Sequence, residues 1–188
     1  MKQIRIIGGI WKKSVLPVLE RSGLRPTPNR ARETLFNWLG QNLNHLTCID
    51  LFAGSGALSF EAASRGAAHV TLIDNDLLTV KQLRHNQQRL QANNLTIIHG
   101  DAFKMVSSSF KETFDIVFLD PPFQLNRLPE AIALATKIVN PTGLIYAEMP
   151  YSFEQSPDLT QILADNGNWY CHRHARSGMV HYHLFKKC

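Results

Sequence analysis

The sequence is 188 residues long and 44% hydrophobic, which is enough for one domain with a sizeable core and a small extension. No apolar stretch approaches the length of a membrane span, no signal-peptide pattern opens the chain, and three scattered cysteines are too few for a disulfide framework or a zinc site. Most of the positive charge lies in residues 1–32, which hold eight basic residues and one acid. We therefore expect a cytoplasmic protein whose basic end meets a polyanion, although a solvated charged surface would give the same count.

Residues 1–27 are predicted to form a basic arm ahead of a single globular body at 28–188. In the arm, Ile4–Ile7 is predicted to be a strand, Gly8-Gly9 a turn and Ser14–Leu19 a return strand. Basic residues are interleaved here with Trp11, an arrangement that suits phosphates and a stacked base. The predicted nucleic-acid contacts of the arm and the following helix are Arg5, Lys12, Lys13, Arg25, Arg30 and Arg32.

A helix is predicted after the arm, with Thr27 as its N-cap, Pro28 at its first position and its end near Leu43. Arg30 and Arg32 lie close to its start, where the helix dipole disfavours cations. A bound phosphate would offset this cost, which favours both arginines as contacts to a polyanion.

From Leu46 onward strands and helices alternate, a pattern typical of a mostly parallel sheet covered by helices on both faces. The predicted strands are Leu46–Phe52, Val70–Ile73, Leu95–Ile98, Phe114–Leu119 and Gly143–Met149. The predicted helices are Ala57–Arg65, one that begins after Asp76 and ends near Leu90, Ala102–Val106, Leu128–Val139 and Leu159–Ala164. The fold class is therefore α/β and Rossmann-like.

The first of these strands leads into the turn Ala53-Gly54-Ser55-Gly56, after which a helix begins. Glycines let the backbone approach a ligand closely, and a helix N-terminus presents unpaired N–H groups, so the segment predicts a nucleotide pocket. A plain strand-to-helix turn remains the alternative. The dinucleotide fingerprint would place a third glycine near Phe60, and none is there, so we expect a ligand without a pyrophosphate.

The last 20 residues are predicted to form a hairpin, with strands Trp169–Arg176 and Met179–Lys186 joined by a two-residue turn at Ser177-Gly178. This register would place His174 opposite His181, and His172 opposite His183, on one side of the ribbon. Four histidines on one face are compatible with a metal site, but packed or solvated side chains are the commoner case. No metal is predicted.

Four acids end four successive strands: Asp50, Asp74, Asp101 and Asp120. Each of them has an alternative role as a turn or cap residue. The carboxyl ends of parallel strands form one crevice, where Asp74 suits ribose hydroxyls, Asp101 an adenine amine and Asp50 an ammonium group. S-adenosylmethionine carries all three groups. The predicted contacts of this cofactor are Asp50, Phe52, Gly54, Gly56, Asp74, Asn75, Asp101 and Ala102.

In the segment Asp120-Pro121-Pro122-Phe123, the two prolines stiffen the turn and have no backbone N–H to donate. The groups that remain for a ligand are a carboxylate, backbone carbonyls and a flat aromatic ring. Acceptors beside a ring can hold an exocyclic base amine next to a methyl donor. A rigid polar turn with a core phenylalanine is the alternative. We predict Asp120, Pro121 and Phe123 as the catalytic residues.

These motifs resemble those of a known family. Asp-Pro-Pro-Phe, with Asp-x-Phe-Ala-Gly-Ser-Gly upstream, is similar to the amino-group methyltransferases that use S-adenosylmethionine. The arm segments Arg5–Gly9, Leu24–Thr27 and Arg30–Phe36 narrow the likeness to the bacterial 16S ribosomal RNA guanine-N2 methyltransferase family.

This resemblance implies a seven-stranded sheet with an antiparallel seventh strand in the terminal hairpin. It also implies that Asp50, Gly54, Gly56, Asp74 and Asp101 contact the cofactor and that 120–123 hold the target base. The family has no motif that matches the four histidines.

Guanine fits Asp120 for a separate reason, because its N1–H and N2–H are adjacent donors that one carboxylate can accept together.

We expect a monomeric enzyme that methylates guanine N2 in ribosomal RNA or in the small ribosomal subunit. The alternatives are methylation of another amine, on nucleic acid or protein, and a nucleic-acid-binding module without catalysis. A nicotinamide oxidoreductase is less favoured, because Asp-Pro-Pro-Phe would have no role in it.

Overall fold

A computed structural model describes residues 2–19, 29–109, 113–121 and 127–188. Several predicted features lie outside these ranges: Arg25, the cap at Thr27 with Pro28, and Pro122 and Phe123 of the target-base motif. Among the described residues, no helix is long and apolar enough to cross a membrane.

The described chain alternates strands and helices after an N-terminal strand pair, as expected. The strands are β1 Lys2–Arg5, β2 Val15–Val18, β3 Thr47–Asp50, β4 His69–Asp74, β5 Leu95–His99, β6 Phe114–Leu119, β7 Val139–Met149, β8 Trp169–Ser177 and β9 Val180–Lys187. The helices are α1 Asn29–Leu39, α2 Ala57–Ser64, α3 Leu77–Leu90, α4 Ala102–Ser109, α5 Leu128–Ile138 and α6 Pro157–Asp165, with a 3₁₀ turn at Phe153–Gln155.

Seven strands form one sheet in the order β5-β4-β3-β6-β7-β9-β8. The first five pair in parallel, whereas β9 lies antiparallel between β7 and β8. The predicted fold class, with its antiparallel seventh strand, is confirmed. The strand order reverses beside β3, so the carboxyl ends of β3, β4 and β6 border the crevice where open α/β sheets bind ligands.

The sheet is buried on both faces, which explains the near-continuous apolar runs in its parallel strands. One core cluster joins the arm, α1, α2 and α3 to one face, and the other joins α4, α5 and α6 to the opposite face. Helix α2 is buried at every position from Ala57 to Ser64. It is therefore the helix against which the arm and the glycine turn are both arranged.

The arm strands β1 and β2 pair antiparallel as a separate two-stranded sheet. Ile4, Ile6 and Leu16 are buried in the core cluster of the main body. The buried carboxylate of Glu61 on α2 accepts hydrogen bonds from the backbone N–H groups of Ile7 (2.8 Å) and Gly8 (2.7 Å). The arm is thus docked on α2 by both apolar burial and a charge-assisted contact.

Three boundaries differ from the prediction by three residues or more. Strand β7 begins at Val139 rather than at Gly143. Helix α1 ends at Leu39 rather than near Leu43, because Gly40 adopts a left-handed φ of +93° that leaves the helix. Helix α4 continues to Ser109, beyond its predicted end at Val106.

The hairpin register was predicted wrongly. Ser177 pairs with Val180, so the two-residue turn is Gly178-Met179 and not Ser177-Gly178. His174 therefore lies opposite His183 rather than His181. A bulge between Cys171 and Arg173 takes His172 out of register with the other histidines, and its ring contacts Tyr170 instead.

Candidate active site

The glycine turn after β3 is fixed by the end of the neighbouring strand β4. The N–H of Ala53 donates to the carbonyl of Ile73 (2.9 Å), and the N–H of Gly54 donates to Oδ2 of Asp74 (2.8 Å). Gly56 has a φ of +74°, and a Cβ there would lie 2.6 Å from Cδ2 of Leu83. The turn therefore requires glycine at 56 both for its backbone conformation and for its contact with α3.

Asp50 ends β3 inside the protein, with 2% of its surface exposed. Its Oδ2 accepts a 2.6 Å hydrogen bond from Oγ of Ser59, and its Oδ1 accepts a 3.3 Å bond from the N–H of Phe52. Burial raises the pKa of this carboxyl to about 6, against the lowering effect of these two donors. The geometry shows Asp50 linking α2 to the glycine turn, and its predicted contact with a cofactor ammonium stays a prediction.

Asp74 lies half-buried at the end of β4, where one carboxylate serves two backbone donors. Oδ1 accepts from the N–H of Asp76 (2.9 Å), while Oδ2 holds Gly54. Asp76 in turn caps α3 through the N–H groups of Leu78 and Thr79. Asn75, between the two acids, is exposed. Asp74 and Asn75 thus lie at the crevice beside the glycine turn, as their predicted cofactor role requires.

Asp101 follows β5 and accepts a 2.9 Å hydrogen bond from the N–H of Phe103 in the first turn of α4. Ala102 is buried beneath it. This hydrogen bond uses one carboxylate oxygen of Asp101. The second oxygen can also accept a hydrogen bond, and the residue is partly exposed.

Two groups beside Asp101 were not predicted from the sequence. The ring of Phe103 lies 5.7 Å from that of Phe52, and the guanidinium carbon of Arg127 lies 3.5 Å from the Phe103 centroid. Arg127 also donates from Nε and a terminal nitrogen to the Glu130 carboxylate at 2.9 and 3.0 Å. The position of Phe103 two residues after a strand-end acid was a usable signal, whereas nothing in the sequence marked Arg127.

Asp120 follows β6 at the same edge of the sheet, half-buried, and Pro121 after it is buried. Leu119 pairs with Ala147, so the next strand, β7, places Glu148 beside Asp120. Glu148 is 3% exposed and accepts a 2.9 Å hydrogen bond from the phenol of Tyr146. Burial, the Glu148 charge and, less strongly, Asp120 raise the pKa of Tyr146, which keeps the phenol protonated.

Glu148 was missed although a signal was present, because it is a fifth acid close to the end of a fifth strand. The predicted target-base site thus gains a buried acid and a phenol on β7.

The structure contradicts the prediction that Arg32 contacts RNA. Arg32 is 1% exposed, and its guanidinium donates to the carbonyl of Arg5 (3.0 Å) and to the side chain of Asn29. It also lies 3.6 Å from Oε2 of Glu61. Burial lowers the pKa of Arg32, and the Glu61 charge opposes that change. Glu61, rather than a phosphate, accounts for this cation near the start of α1.

The other cations predicted to contact RNA are exposed where the structure describes them. Arg5, Lys12, Lys13 and Arg30 all face solvent. The arm turn that carries Lys12 and Lys13 binds the last turn of α2, where the N–H of Trp11 donates to Oγ of Ser64 (3.0 Å). The glycine turn lies at the opposite end of α2, about 12 Å away at 1.5 Å per residue. The two lysines are therefore displaced from the crevice, and Lys12 lines a pocket of about 460 Å³ between the arm turn and α1.

Within the described ranges, no group of three or more His, Cys, Asp or Glu residues is arranged to hold a metal ion. On one face of the hairpin, the rings of His174 and His183 are stacked, with 4.4 Å between their centroids.

The fold has a close counterpart among solved structures. The Escherichia coli protein yhhF, described as a methyltransferase, superposes with a TM-score of 0.82 at 37% identity over 99% of this chain and 98% of that one. Together with the acid-lined crevice, this likeness places the chain in the class of methyltransferases that use S-adenosylmethionine.

The family follows from sequence comparison. Residues 4–186 match the family described as Conserved hypothetical protein 95. Ribosomal RNA small subunit methyltransferase D of Escherichia coli K12 is 41% identical, over 98% of this chain and 90% of its own length. The enzyme of the same name from Haemophilus influenzae is 38% identical, over 98% and 94%. The chain belongs to this family, the family of ribosomal RNA small subunit methyltransferase D.

Proposed function

We propose that the protein methylates the N2 amine of a guanine in 16S ribosomal RNA, with S-adenosylmethionine as the methyl donor. The named relatives act on ribosomal RNA of the small subunit. The choice of guanine and of N2 comes from the chemistry of Asp120.

The observation that carries the proposal is the placement of Asp74 and Asp120 on either side of β3. Asp74 ends β4, Asp120 follows β6, and the glycine turn leaves β3 between them. Two strand spacings of about 4.8 Å put the two acids roughly 10 Å apart along the sheet edge. One extended ligand can therefore contact Asp74 at one end and present its reactive group near Asp120 at the other.

The donors and acceptors of the crevice fit this cofactor. Asp74 and Asp101 offer partly exposed carboxylate oxygens for ribose hydroxyls and an adenine amine. The N-cap residue of α2 is Gly56, which has no side chain to accept from the first N–H groups of the helix. These N–H groups can therefore donate to a ligand beside the turn. When bound, S-adenosylmethionine supplies an electrophilic methyl group on a positively charged sulfur.

Asp120 would hold the target amine in place. Its carboxylate can accept from N1–H and N2–H of guanine together, whereas adenine presents a donor beside an acceptor and suits an amide better. Asp120 would hold N2 beside the donated methyl group, so that the carbon–sulfur bond breaks as the carbon–nitrogen bond forms, without a covalent enzyme intermediate. The Asp120 carboxylate would also accept the proton that N2 loses. The chain contributes position and a fixed set of acceptors, to which Glu148 and Tyr146 add charge and a hydrogen bond on β7.

The arm, residues 1–27, and the start of α1 would contribute phosphate contacts. Arg5, Lys12, Lys13 and Arg30 are exposed and suit this role, and Arg25 is retained as a prediction from the sequence. We propose a cytoplasmic monomer that acts on ribosomal RNA or the small ribosomal subunit, with residues 28–188 as its methyltransferase domain.

The test is methyl transfer from labelled cofactor to 16S ribosomal RNA that lacks the modification, followed by nucleoside analysis. We expect the label in N2-methylguanosine. Label in N6-methyladenosine or in protein, or no transfer to RNA or to assembled small subunits, would contradict the proposal.

A further inference from the structure

The hairpin of β8 and β9 has a charge pattern that the proposed function does not yet use. Residues 169–187 hold four arginines and lysines, four histidines and no acid. Near the turn, His174, Arg176, Met179 and His181 form what we call the tip surface. Met179 is 72% exposed, and Arg176 and His174 also face solvent. A positive surface with flat rings and an exposed apolar side chain complements a nucleic acid.

The tip surface lies at the same edge of the sheet as Asp120. His181 pairs with Met149 at the end of β7, and β7 pairs with β6 through Ala147 and Leu119. Strand β9 lies two strand spacings from β6, and β8 three, which is about 10 to 14 Å. An RNA strand whose target base meets Asp120 therefore passes within reach of the tip surface.

The rings of His183 and His174 stack on one another towards the open edge of the sheet. The buried ring of His183 is held by the N–H of Phe153, which donates to its Nε2 at 3.1 Å. His174 on the edge strand lies parallel to it, with 4.4 Å between centroids and an interplanar angle of 3°. Nε2 of His174 lies 3.0 Å from Nδ1 of His181, which fixes the outer ring. The solvent-facing side of His174 is therefore a preformed surface for one more ring.

Arg176 supplies a charge beside this surface. Its Nε donates to the carbonyl of Gly178 at 2.6 Å, which anchors the guanidinium at the turn. Its terminal nitrogens have no acceptor within the part of the chain that the structure describes, so they are available for a phosphate.

We propose that the tip surface is a second RNA contact, in which a nucleobase near the target nucleotide stacks on His174 and the adjoining phosphate binds Arg176. The inference rests on the proposed function, because it presumes an RNA whose target base lies at Asp120. It places one RNA contact on the opposite side of the target site from the arm.

The experiment measures RNA affinity across a salt series for Arg176→Ala, His174→Ala and His174→Phe, with Lys186→Ala as the matched control. Lys186 is an exposed cation at the far end of the same hairpin. We expect Arg176→Ala to weaken binding roughly fivefold near 0.15 M salt and to flatten the log–log salt slope by about 0.7–0.9. His174→Ala should weaken binding by roughly 5- to 100-fold, and His174→Phe should restore most of it because the ring is kept. Lys186→Ala should change neither quantity.

Calorimetry of cofactor binding checks that each variant is folded, since the mutated residues are exposed and lie outside the cofactor crevice. If the wild type methylates RNA and both alanine variants bind it with wild-type affinity and slope, the tip surface is not an RNA contact, while the proposed function stands. An effect of Lys186→Ala as large as that of Arg176→Ala would also overturn the inference, because the effect would then reflect net charge alone. A wild type that binds no RNA overturns both.

Discussion

Oδ2 of Asp74 accepts a 2.8 Å hydrogen bond from the N–H of Gly54. A side chain at the end of β4 therefore fixes the backbone of the turn that leaves β3. The residue predicted to hold the cofactor ribose also shapes the turn predicted to face the rest of the cofactor. Loss of this carboxylate should therefore affect two parts of the site.

We expect Asp74→Ala to weaken S-adenosylmethionine binding by about 1–3 kcal/mol, because the ribose hydroxyls lose a charged acceptor and the turn loses its anchor. Asp74→Asn keeps one acceptor and should fall between the alanine variant and the wild type. Isothermal titration calorimetry measures both. Wild-type affinity in the alanine variant would mean that neither the Asp74 carboxylate nor its bond to Gly54 contributes to cofactor binding.

The order of strands and helices was readable from the sequence, because apolar runs, glycine turns and capping acids all agree from Leu46 to Met149. The hairpin register was not. Gly178 fits a two-residue turn either with Ser177 before it or with Met179 after it, and local turn chemistry does not separate the two choices. The burial of His183 and Leu184 within the sheet accompanies the observed register, and such long-range contacts are not visible in a local pattern.

Arg32 shows a second limit of the sequence. Its partner Glu61 lies on another helix, so a local pattern shows an unexplained cation at a helix start and no ion pair. Arg30, two residues away, is exposed on the opposite side of α1. Helical periodicity places Arg32 on the apolar side with Leu35 and Phe36, so a signal for its burial was present but not used. Tyr146 and Glu148 are two residues apart on one strand, so their pairing is local, whereas their position beside Asp120 depends on the pairing of β7 with β6.

Variants of Arg30 and Arg32 test whether Arg30 contacts RNA while Arg32 stabilises the fold. Arg30→Ala should flatten the salt dependence of RNA binding by about 0.7–0.9 in the log–log slope and leave the unfolding free energy within about 0.5 kcal/mol. Arg32→Ala should instead lower stability. Filter binding across a salt series and urea unfolding separate the two results. A slope that does not change in Arg30→Ala would remove Arg30 from the proposed RNA contacts.

Glu61 should be among the most sensitive positions for stability. It is fully buried, accepts from two arm N–H groups, and binds Arg65 through a 2.8 Å ion pair. Glu61→Gln would leave buried guanidinium groups without their counter-charge, so we expect a loss of about 3–5 kcal/mol in urea unfolding. Glu130→Gln is the matched control, because its pair with Arg127 is exposed and should contribute little to stability. Similar losses in both variants would contradict a special role for the buried acid.

The hairpin should make the protein sensitive to acid. Burial, reinforced by His174 and His181, lowers the pKa of His183 from 6.5 to about 3. Between these values the unfolded chain binds a proton that the folded chain does not, so the free energy of unfolding decreases as pH falls from about 6.5 towards 3. His183→Phe keeps a ring next to Phe153 and Phe185 and should flatten this dependence.

The raised pKa of Asp50, about 6, acts in the opposite direction, because the folded state holds that proton more tightly. The informative quantity is therefore the difference between wild type and His183→Phe, measured by urea unfolding from pH 4 to 8. A constant difference across this range would contradict a neutral, buried His183.

Asp120 should show the largest effect on catalysis. Asp120→Asn is nearly isosteric, so we expect the fold and cofactor binding to survive. The new amide keeps one acceptor and gains two donors, which would face the donors of the guanine edge. Losing one preorganised acceptor and opposing donor with donor should cost about 3–4 kcal/mol, or roughly a hundred- to a thousand-fold in turnover. Single-turnover methylation at saturating RNA and cofactor measures the loss.

Asp120→Ala separates the two parts of this effect, because it removes the acceptor without adding a donor. If donor opposition matters, the asparagine variant should be at least as slow as the alanine variant, although alanine also removes more of the side chain. An asparagine variant within about tenfold of wild type would show that backbone carbonyls alone hold the amine. In that case Asp120 would serve the turn after β6, and the preference for guanine would have to arise from other groups at this edge, among which Glu148 is already placed beside it.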